Sequence, residues 1–289
     1  MNHGRPWFRM TSLFLGFAFL YIPVMLLVIY SFNNSRLVTV WGGFSTRWYG
    51  ELLRNEQILN AAWLSVEVAA ISASLAVALG TVAGLVLARF GPFKGRTLLS
   101  GLTTAPLVMP EVITGLSLLL LFVTMEQVIG WPAGRGMTTI VISHITLTMA
   151  YVTVIVQSRL AQMDDSLEEA AMDLGARPLK VFFLITLPII APALMSGWLL
   201  AFTLSLDDLV ITSFVAGPGS STLPMVIFSK VRLGVSPDIN ALATILVAVV
   251  AVGVVVAGYT MTRQQKQKER DAQMALAANQ QMIESVKKG

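Results

Sequence analysis

Six stretches of this chain are long and apolar, and they constrain its fold more than any other feature. An α-helix needs about 20 apolar residues to cross the hydrocarbon core of a bilayer. Each stretch meets or approaches that length, and none contains Lys or Arg. We therefore predict an all-α membrane protein with six transmembrane helices. The predicted spans are residues 10–32, 61–88, 98–124, 139–157, 189–216 and 239–261.

Composition agrees with this prediction and excludes several kinds of chemistry. Apolar residues make up 55% of the chain and charged residues only 12%, which is more hydrophobic length than a soluble domain could bury. Cysteine is absent, so disulfides and thiolate nucleophiles are excluded. Only His3 and His144 offer imidazole, and no cluster of metal ligands is found. We predict neither a metal site nor a catalytic site.

The positive charges predict the orientation of the chain. The two ends and the second and fourth loops hold 14 of the 20 Lys and Arg residues, against 6 in the three loops opposite. Cytoplasmic loops carry the excess of Lys and Arg, so both termini are predicted to be cytoplasmic. The net charge of +4 is therefore a sign of topology, and no nucleic-acid partner is expected. A cleaved signal is the alternative for residues 10–32, but the apolar core is long and no small-residue cleavage site follows it.

The last long cytoplasmic loop has the pattern of two short helices joined by an elbow. Ser166 followed by Glu169 predicts a capping box at the start of the first helix. Gly175 favours the left-handed conformation that ends a helix, and Pro178 suits the first turn of the next one. Pro188 is expected to break that second helix at the edge of the fifth span.

This loop resembles a known family. Glu169-Ala170-Ala171, with Gly175 six residues after the glutamate and Ile-x-Leu-Pro at residues 185–188, is similar to the EAA loop of permease subunits of bacterial ABC importers. The resemblance implies a type I ABC importer permease fold. It also implies that the loop is a coupling helix, held in a groove of a cytoplasmic ATPase.

The residues of the loop are compatible with such docking. Ala170, Ala171 and Gly175 form a face of small residues that permits close approach of two backbones, while Glu169 and Arg177 can pair across the contact. A generic amphipathic connector is the alternative. The chain has no phosphate-binding motif, so no cofactor is expected on it. The resemblance implies that ATP and Mg bind to two partner ATPase subunits.

Three regions follow from these assignments. Residues 1–60 form an anchor helix and a periplasmic interfacial segment, in which Trp41 and Trp48 suit the headgroup level. Residues 61–261 form the permease core with a coupling segment at about 164–188, and residues 262–289 form a polar cytoplasmic tail.

Two spans have special composition. Small residues recur along residues 61–88, which permits close helix packing and predicts an interior position. Pro106 and Pro110 fall inside residues 98–124, where they free backbone carbonyls and kink the helix. A bent packing helix is an equally fair interpretation of the two prolines.

Four acids lie at membrane depth without a basic residue in any span. They are Glu67, Glu111 near the middle of the third span, and the adjacent Asp207 and Asp208. A buried carboxylate without a partner is costly, so this acidic excess favours a cationic substrate. We predict a substrate pathway at Asp207, Asp208 and Glu111. The structural alternative is that Glu67 snorkels or caps, and that an aspartate accepts hydrogen bonds from Thr203, Ser205 or Thr212.

A narrower resemblance covers nearly the whole chain up to residue 261. Residues 197–214 and 240–245 resemble permeases of importers for spermidine and putrescine, most closely the putrescine type. Further matching pieces are residues 30–33, 46–49, 105–115 and 217–218.

This resemblance implies an inner-membrane subunit that moves polyamines by alternating access. Its implied partners are a second homologous permease, two ATPase subunits, a periplasmic polyamine-binding protein and membrane lipid.

Several alternatives stay open at this stage. The cargo could be an amino acid, iron or another small solute, and a homodimer is geometrically allowed. A secondary transporter or channel would share the spans but would not need the docking loop. A membrane-embedded enzyme would need a convergent set of catalytic groups, for which Glu111 and His144 are the only seed.

Overall fold

Most of the described structure is helical. A computed structural model describes residues 6–37, 40–234 and 237–253, together with residues 255, 259, 262, 263 and 267. Among these residues the only β-pairing is one isolated bridge between Asn33 and Phe44. The helices are α1 (Pro6–Tyr30), α2 (Arg47–Leu52), α3 (Glu56–Arg89), α4 (Arg96–Val108), α5 (Glu111–Ile129), α6 (Met137–Ala161), α7 (Ser166–Asp173), α8 (Pro178–Val181), α9 (Leu187–Leu206), α10 (Val210–Val215), α11 (Leu223–Leu233) and α12 (Pro237–Gly253).

Apolar length in these helices agrees with the predicted membrane fold. Among the described residues, five helices are long and apolar enough to cross a bilayer: α1, α3, α5, α6 and the continuous helix Pro178–Leu206. The helix α12 is a shorter apolar helix that covers part of the predicted sixth span. The end of that span and most of the predicted tail lie outside the described residues.

The chain divides into two units, one formed by residues 1–54 and 235–289 and the other by residues 55–234. In the first unit, Asn33 organises the segment between α1 and α2. Its side chain bonds to the amide of Gly42 at 2.8 Å and to the carbonyl of Val40 at 2.8 Å, and its own carbonyl accepts from Trp48 Nε1 at 2.6 Å. Trp48 is buried against this segment, whereas Trp41 is exposed.

In the second unit, α3, α6 and α9 pack together as the core. The small residues of α3 make this possible, because a Cβ added at Gly80 would lie 2.8 Å from Val152 and one at Gly84 would lie 2.9 Å from Val156. Ser74 of α3 also accepts a hydrogen bond from Trp198 of α9 at 3.1 Å. The predicted interior position of this span is confirmed.

We expect Gly80→Ala to destabilise the protein, because the new methyl group meets the Val152 side chain and the Met149 carbonyl at 3.1 Å. Overpacking of this kind costs about 1–3 kcal/mol. Gly101→Ala in α4 is the matched control: nothing lies within 4 Å of its Cβ, and helix propensity favours alanine there. Thermal unfolding of the detergent-solubilised protein should separate the two variants. Equal unfolding midpoints would contradict the close packing of α3 on α6.

The predicted third span is two helices. α4 ends at Val108, Met109 is extended (ψ 136°), and α5 starts at Glu111 after Pro110. Pro106 is tolerated inside α4, but Pro110 cannot continue the helix and takes the N-cap position instead. Glu111 therefore lies in the first turn of α5 and not in the middle of a helix.

The helix that carries Pro188 is not broken there, contrary to prediction. A π-helical turn at Phe182–Thr186 joins α8 to α9, and the Leu187 amide donates to the Phe182 carbonyl five residues back. A widened turn of this kind lets the helix pass a residue that lacks an amide hydrogen. The same span, predicted as continuous to residue 216, instead stops at Leu206 and resumes at Val210.

Candidate functional site

The predicted coupling segment, residues 164–188, starts differently from the sequence-based expectation. The capping box does not form, because Ser166 is already the first residue of α7 and its amide donates to Asp164 Oδ1 at 3.0 Å. Asp164 thus accepts from the amide that Glu169 would have bonded in a capping box. Hydrogen bonds from the Ser166 amide and hydroxyl lower the pKa of the Asp164 carboxyl.

The elbow that follows α7 has the predicted form. Gly175 adopts a left-handed conformation with φ of 86°, and its amide donates to the Met172 carbonyl at 2.8 Å. The Ala176 amide donates to the Ala171 carbonyl at 3.1 Å, which completes a Schellman ending. Pro178 is the first residue of α8. The helix, elbow and helix predicted from sequence are confirmed.

The surface of the coupling segment is open. None of the residues of α7 is buried, and Glu169, Ala170, Gly175 and Arg177 are exposed, while Ala171 is half-buried. Large apolar side chains are exposed beside them. These side chains are Leu167, Leu174 and Leu179. Exposed apolar side chains clustered on a short segment are typical of an interaction surface.

A second candidate site lies where α9 stops. A cavity of about 250 Å³ opens there and is bordered by all three acids of the predicted pathway, Glu111, Asp207 and Asp208. The remaining lining residues are Leu147, Tyr151, Leu204, Leu209 and Val210. Glu67 is exposed on α3 and does not line this cavity.

Asp208 is the centre of a buried hydrogen-bond network. Its Oδ1 accepts from the Ile211 amide at 3.2 Å, and its Oδ2 accepts from the Thr212 amide at 2.8 Å and hydroxyl at 2.6 Å. His144 Nε2 lies 3.2 Å from Oδ2, and His144 Nδ1 lies 2.6 Å from Ser205 Oγ. Asp208 thereby caps α10 and joins it to α6.

The two adjacent aspartates have different environments. Asp207 is the C-cap of α9 and is exposed, whereas Asp208 is only 9% exposed and its oxygens have partners. The structural alternative was that an aspartate accepts a hydrogen bond from a nearby hydroxyl group. Asp208 does so from Thr212. Ser205 bonds to His144 instead of to an aspartate. Sequence reasoning missed this role of His144, for which the only available signal was an imidazole inside a predicted span.

Ser205, His144 and Asp208 have the residue types of a hydrolytic triad, but their arrangement is structural. Ser205 and His144 are both buried and neither lines the adjacent cavity, so no substrate can reach the serine oxygen. His144 Nε2 also contacts Thr212 Oγ1 at 2.9 Å. With the ring proton on Nε2, the imidazole donates to the carboxylate and accepts from Ser205, so each nitrogen has a partner. Glu111 is not one of these partners.

The long apolar helices, the exposed coupling segment and the acid-bordered cavity define a membrane transport subunit. The family described as "Binding-protein-dependent transport system inner membrane component" matches residues 80–269, and the chain belongs to this family. It is therefore an inner-membrane permease component and not an enzyme.

Individual relatives agree with this assignment. The chain is 61% identical to the putrescine transport system permease protein PotI of Escherichia coli K12, over 93% of this chain and 96% of the relative. It is 41% identical to the spermidine/putrescine transport system permease protein PotC of the same strain, over 83% and 88%. It is 40% identical to PotC of Haemophilus influenzae, over 90% and 98%.

Solved structures share the fold at low identity. A chain of a bacterial ABC transporter that imports the acidic polysaccharide alginate matches with a TM-score of 0.69 and 19% identity, over 90% of this chain and 96% of that one. A chain of the MetNI methionine ABC transporter in inward-facing conformations matches with a TM-score of 0.58 and 15% identity, over 76% and 98%. These matches establish the type I importer permease fold.

Proposed function

We propose that this chain is the permease subunit that moves putrescine, or putrescine and spermidine, from periplasm to cytoplasm. It would pair with a second homologous permease, receive its cargo from a periplasmic polyamine-binding protein and be driven by two cytoplasmic ATPase subunits that bind ATP and Mg. The names of its PotI and PotC relatives support this cargo. Alternating access requires the cargo to favour one conformation by differential contacts.

The observation that carries the cargo proposal is the cavity at the end of α9. Glu111 and Asp207 contribute carboxylates to it, and among its described lining residues none is Lys or Arg. The C-terminus of α9 adds the negative end of a helix dipole, because its last carbonyls lack partners within the helix. Tyr151 adds an aromatic ring, a group that attracts ammonium ions. These features favour a multiply protonated amine and oppose an anion.

We assign ATPase docking to Glu169, Ala170, Ala171, Gly175 and Arg177. Their exposure and the apolar side chains of Leu174 and Leu179 beside them support this assignment. A partner groove would cover these apolar groups and bring the small residues against its own backbone.

Uptake of labelled putrescine tests the proposal. Cells that lack this chain are compared with cells in which it is restored, each challenged with excess unlabelled spermidine, a neutral amino acid or sulfate. We expect restored uptake that polyamines suppress and the other two solutes leave unchanged. Restoration without effect on putrescine uptake, or equal competition by sulfate or the amino acid, would contradict the polyamine cargo. Purification through a tag on this chain should also recover an ATPase, which a secondary transporter or channel would not do.

A further inference from the structure

A polar network, here called the Arg89 clamp, joins the coupling segment to two membrane helices. It consists of Arg89, Asp165, Glu168 and Thr186. Arg89 Nε lies 3.0 Å from Glu168 Oε2, and Arg89 Nη1 pairs with the Asp165 carboxylate. Thr186 Oγ1 donates to Glu168 Oε1 at 2.6 Å. Glu168 therefore contacts both the arginine and the threonine.

Three of the four clamp residues are shielded from most water, whereas the Asp165 side chain is 64% exposed. The Arg89 side chain is 16% exposed, the Glu168 side chain is 15% exposed and Thr186 is 2% exposed. Ion pairs at exposed sites contribute little, but removal of one partner from a shielded pair leaves an uncompensated charge. The Arg89 and Glu168 pair should therefore persist while the surrounding helices move.

The clamp residues lie where α7 meets the ends of two membrane helices. Arg89 is the last residue of α3, the helix that packs against both α6 and α9. Thr186 is the last residue of the π-helical turn that leads into α9, and the far end of α9 carries Asp207. Glu168 lies on α7 itself.

The apolar packing of α7 is weak by comparison. None of its residues is buried, and a cleft of about 400 Å³ lies between it and the end of α3. The cleft is bordered by Leu85, Arg89, Glu168, Glu169 and Met172, among others. A helix beside an open cleft can move independently of the neighbouring helices unless polar contacts connect it to them. In the clamp, Arg89 Nη1 donates to Asp165, Thr186 Oγ1 donates to Glu168, and the Arg89–Glu168 contact adds an ion pair.

We propose that the Arg89 clamp transmits displacement of the coupling segment to α3 and α9, which makes Arg89, Glu168 and Thr186 positioning residues for ATP-driven transport. This inference rests on the ATP-coupled function proposed above, but not on its cargo. The clamp residues stay within this chain. They affect how motion passes from the coupling segment to α3 and α9, and they do not take part in docking of the ATPase.

The test uses the complete transporter, purified through a tag on this chain and reconstituted in liposomes with its periplasmic binding protein. ATPase recovery, basal ATP hydrolysis and the stimulation of hydrolysis by the binding protein are measured on each preparation. We expect Arg89→Ala to retain the ATPase and basal hydrolysis while stimulated hydrolysis falls about tenfold. Arg89→Lys should recover part of the loss, because it keeps the charge but not the planar fork.

Lys94→Ala is the matched control, since it removes the same charge from an exposed side chain just after α3. It should behave as wild type. Arg89→Ala combined with Glu168→Ala should lose less than the two separate losses combined, because the two residues share one ion pair. Wild-type stimulation in Arg89→Ala, or loss of the ATPase from that preparation, would overturn the proposal.

Thr186→Val keeps the inference testable if Arg89→Ala does not fold. This change removes only the hydroxyl bond to Glu168 and should lower stimulation about threefold. An undiminished response in folded Thr186→Val would overturn the transmitting role. A wild-type transporter that hydrolyses ATP in response to the binding protein but takes up no putrescine would contradict the cargo proposal alone.

Discussion

Asp207→Asn should cut putrescine uptake by about tenfold to hundredfold at low substrate concentration, while the amount of folded protein is unchanged. The substitution keeps the shape of the side chain and removes its negative charge. Asp207 is exposed at the cavity and caps the end of α9 through its backbone amide, which donates to the Thr203 carbonyl at 3.2 Å. The substitution leaves that backbone bond intact, so the fold has little reason to change.

The size of this effect follows from the environment of the carboxylate. A charge-assisted hydrogen bond is worth about 1.5–3 kcal/mol, and tenfold in rate corresponds to about 1.4 kcal/mol. Among the other described lining residues, only Glu111 and the already hydrogen-bonded Asp208 carry carboxylates that could replace part of the lost attraction. A polyamine that enters the cavity gives up hydration by bulk water. In Asp207→Asn the cavity would have one negative charge fewer to compensate for that loss.

Two further variants sharpen this test. Glu111→Gln should impair uptake in the same direction, because Glu111 borders the same cavity. Its effect should be smaller, since the first turn of α5 already stabilises that carboxylate. Glu67→Gln is the matched control, because Glu67 is an exposed acid on α3 outside the cavity. Normal uptake in Asp207→Asn, or an equal loss in Glu67→Gln, would rule out the acid pathway.

The sequence predicted which parts of the chain are helical more successfully than where helices break. Apolar length predicted the five long apolar helices of the described residues, although it joined α4 to α5 as one span. It did not identify the stop at Leu206, since residues 207–209 are followed by more apolar residues. At Pro188 the error was the opposite one, since a helix break was predicted and the helix continues. The π-helical turn at Phe182–Thr186 accommodates a residue that lacks an amide hydrogen.

In the candidate sites, the sequence predicted features that depend on neighbouring residues but not contacts between residues far apart in the chain. Gly175 and Pro178 define the elbow through their own backbone preferences, so sequence was sufficient there. The contact of Arg89 with Glu168 joins residues far apart in the chain, and no local pattern indicates it. The cavity likewise depends on the approach of α5, α6 and α9, which brings Glu111 to Asp207. Such pairings are properties of packing and not of any one segment.

Asp208→Ala should destabilise the protein strongly, although Asp208 stands beside the residue whose charge we expect to serve transport. Its removal leaves the Ile211 and Thr212 amides and His144 Nε2 without their carboxylate partner in a buried region. Each buried donor left without an acceptor costs about 1–3 kcal/mol, and three donors lose theirs here. We expect a thermal unfolding midpoint about 10 °C lower in detergent.

The neighbouring substitution Asp207→Ala separates the two roles. It makes the same chemical change one residue earlier, at an exposed side chain, so the unfolding midpoint should stay close to that of wild type. His144→Ala should destabilise in the same direction as Asp208→Ala, and the double variant should lose less than the two separate losses combined, because the groups share one network. Equal midpoints for Asp207→Ala and Asp208→Ala would contradict the assignment. Unequal midpoints, with uptake per folded molecule impaired in Asp207→Ala, would show that one aspartate secures the break between α9 and α10 so that the other can face the cavity.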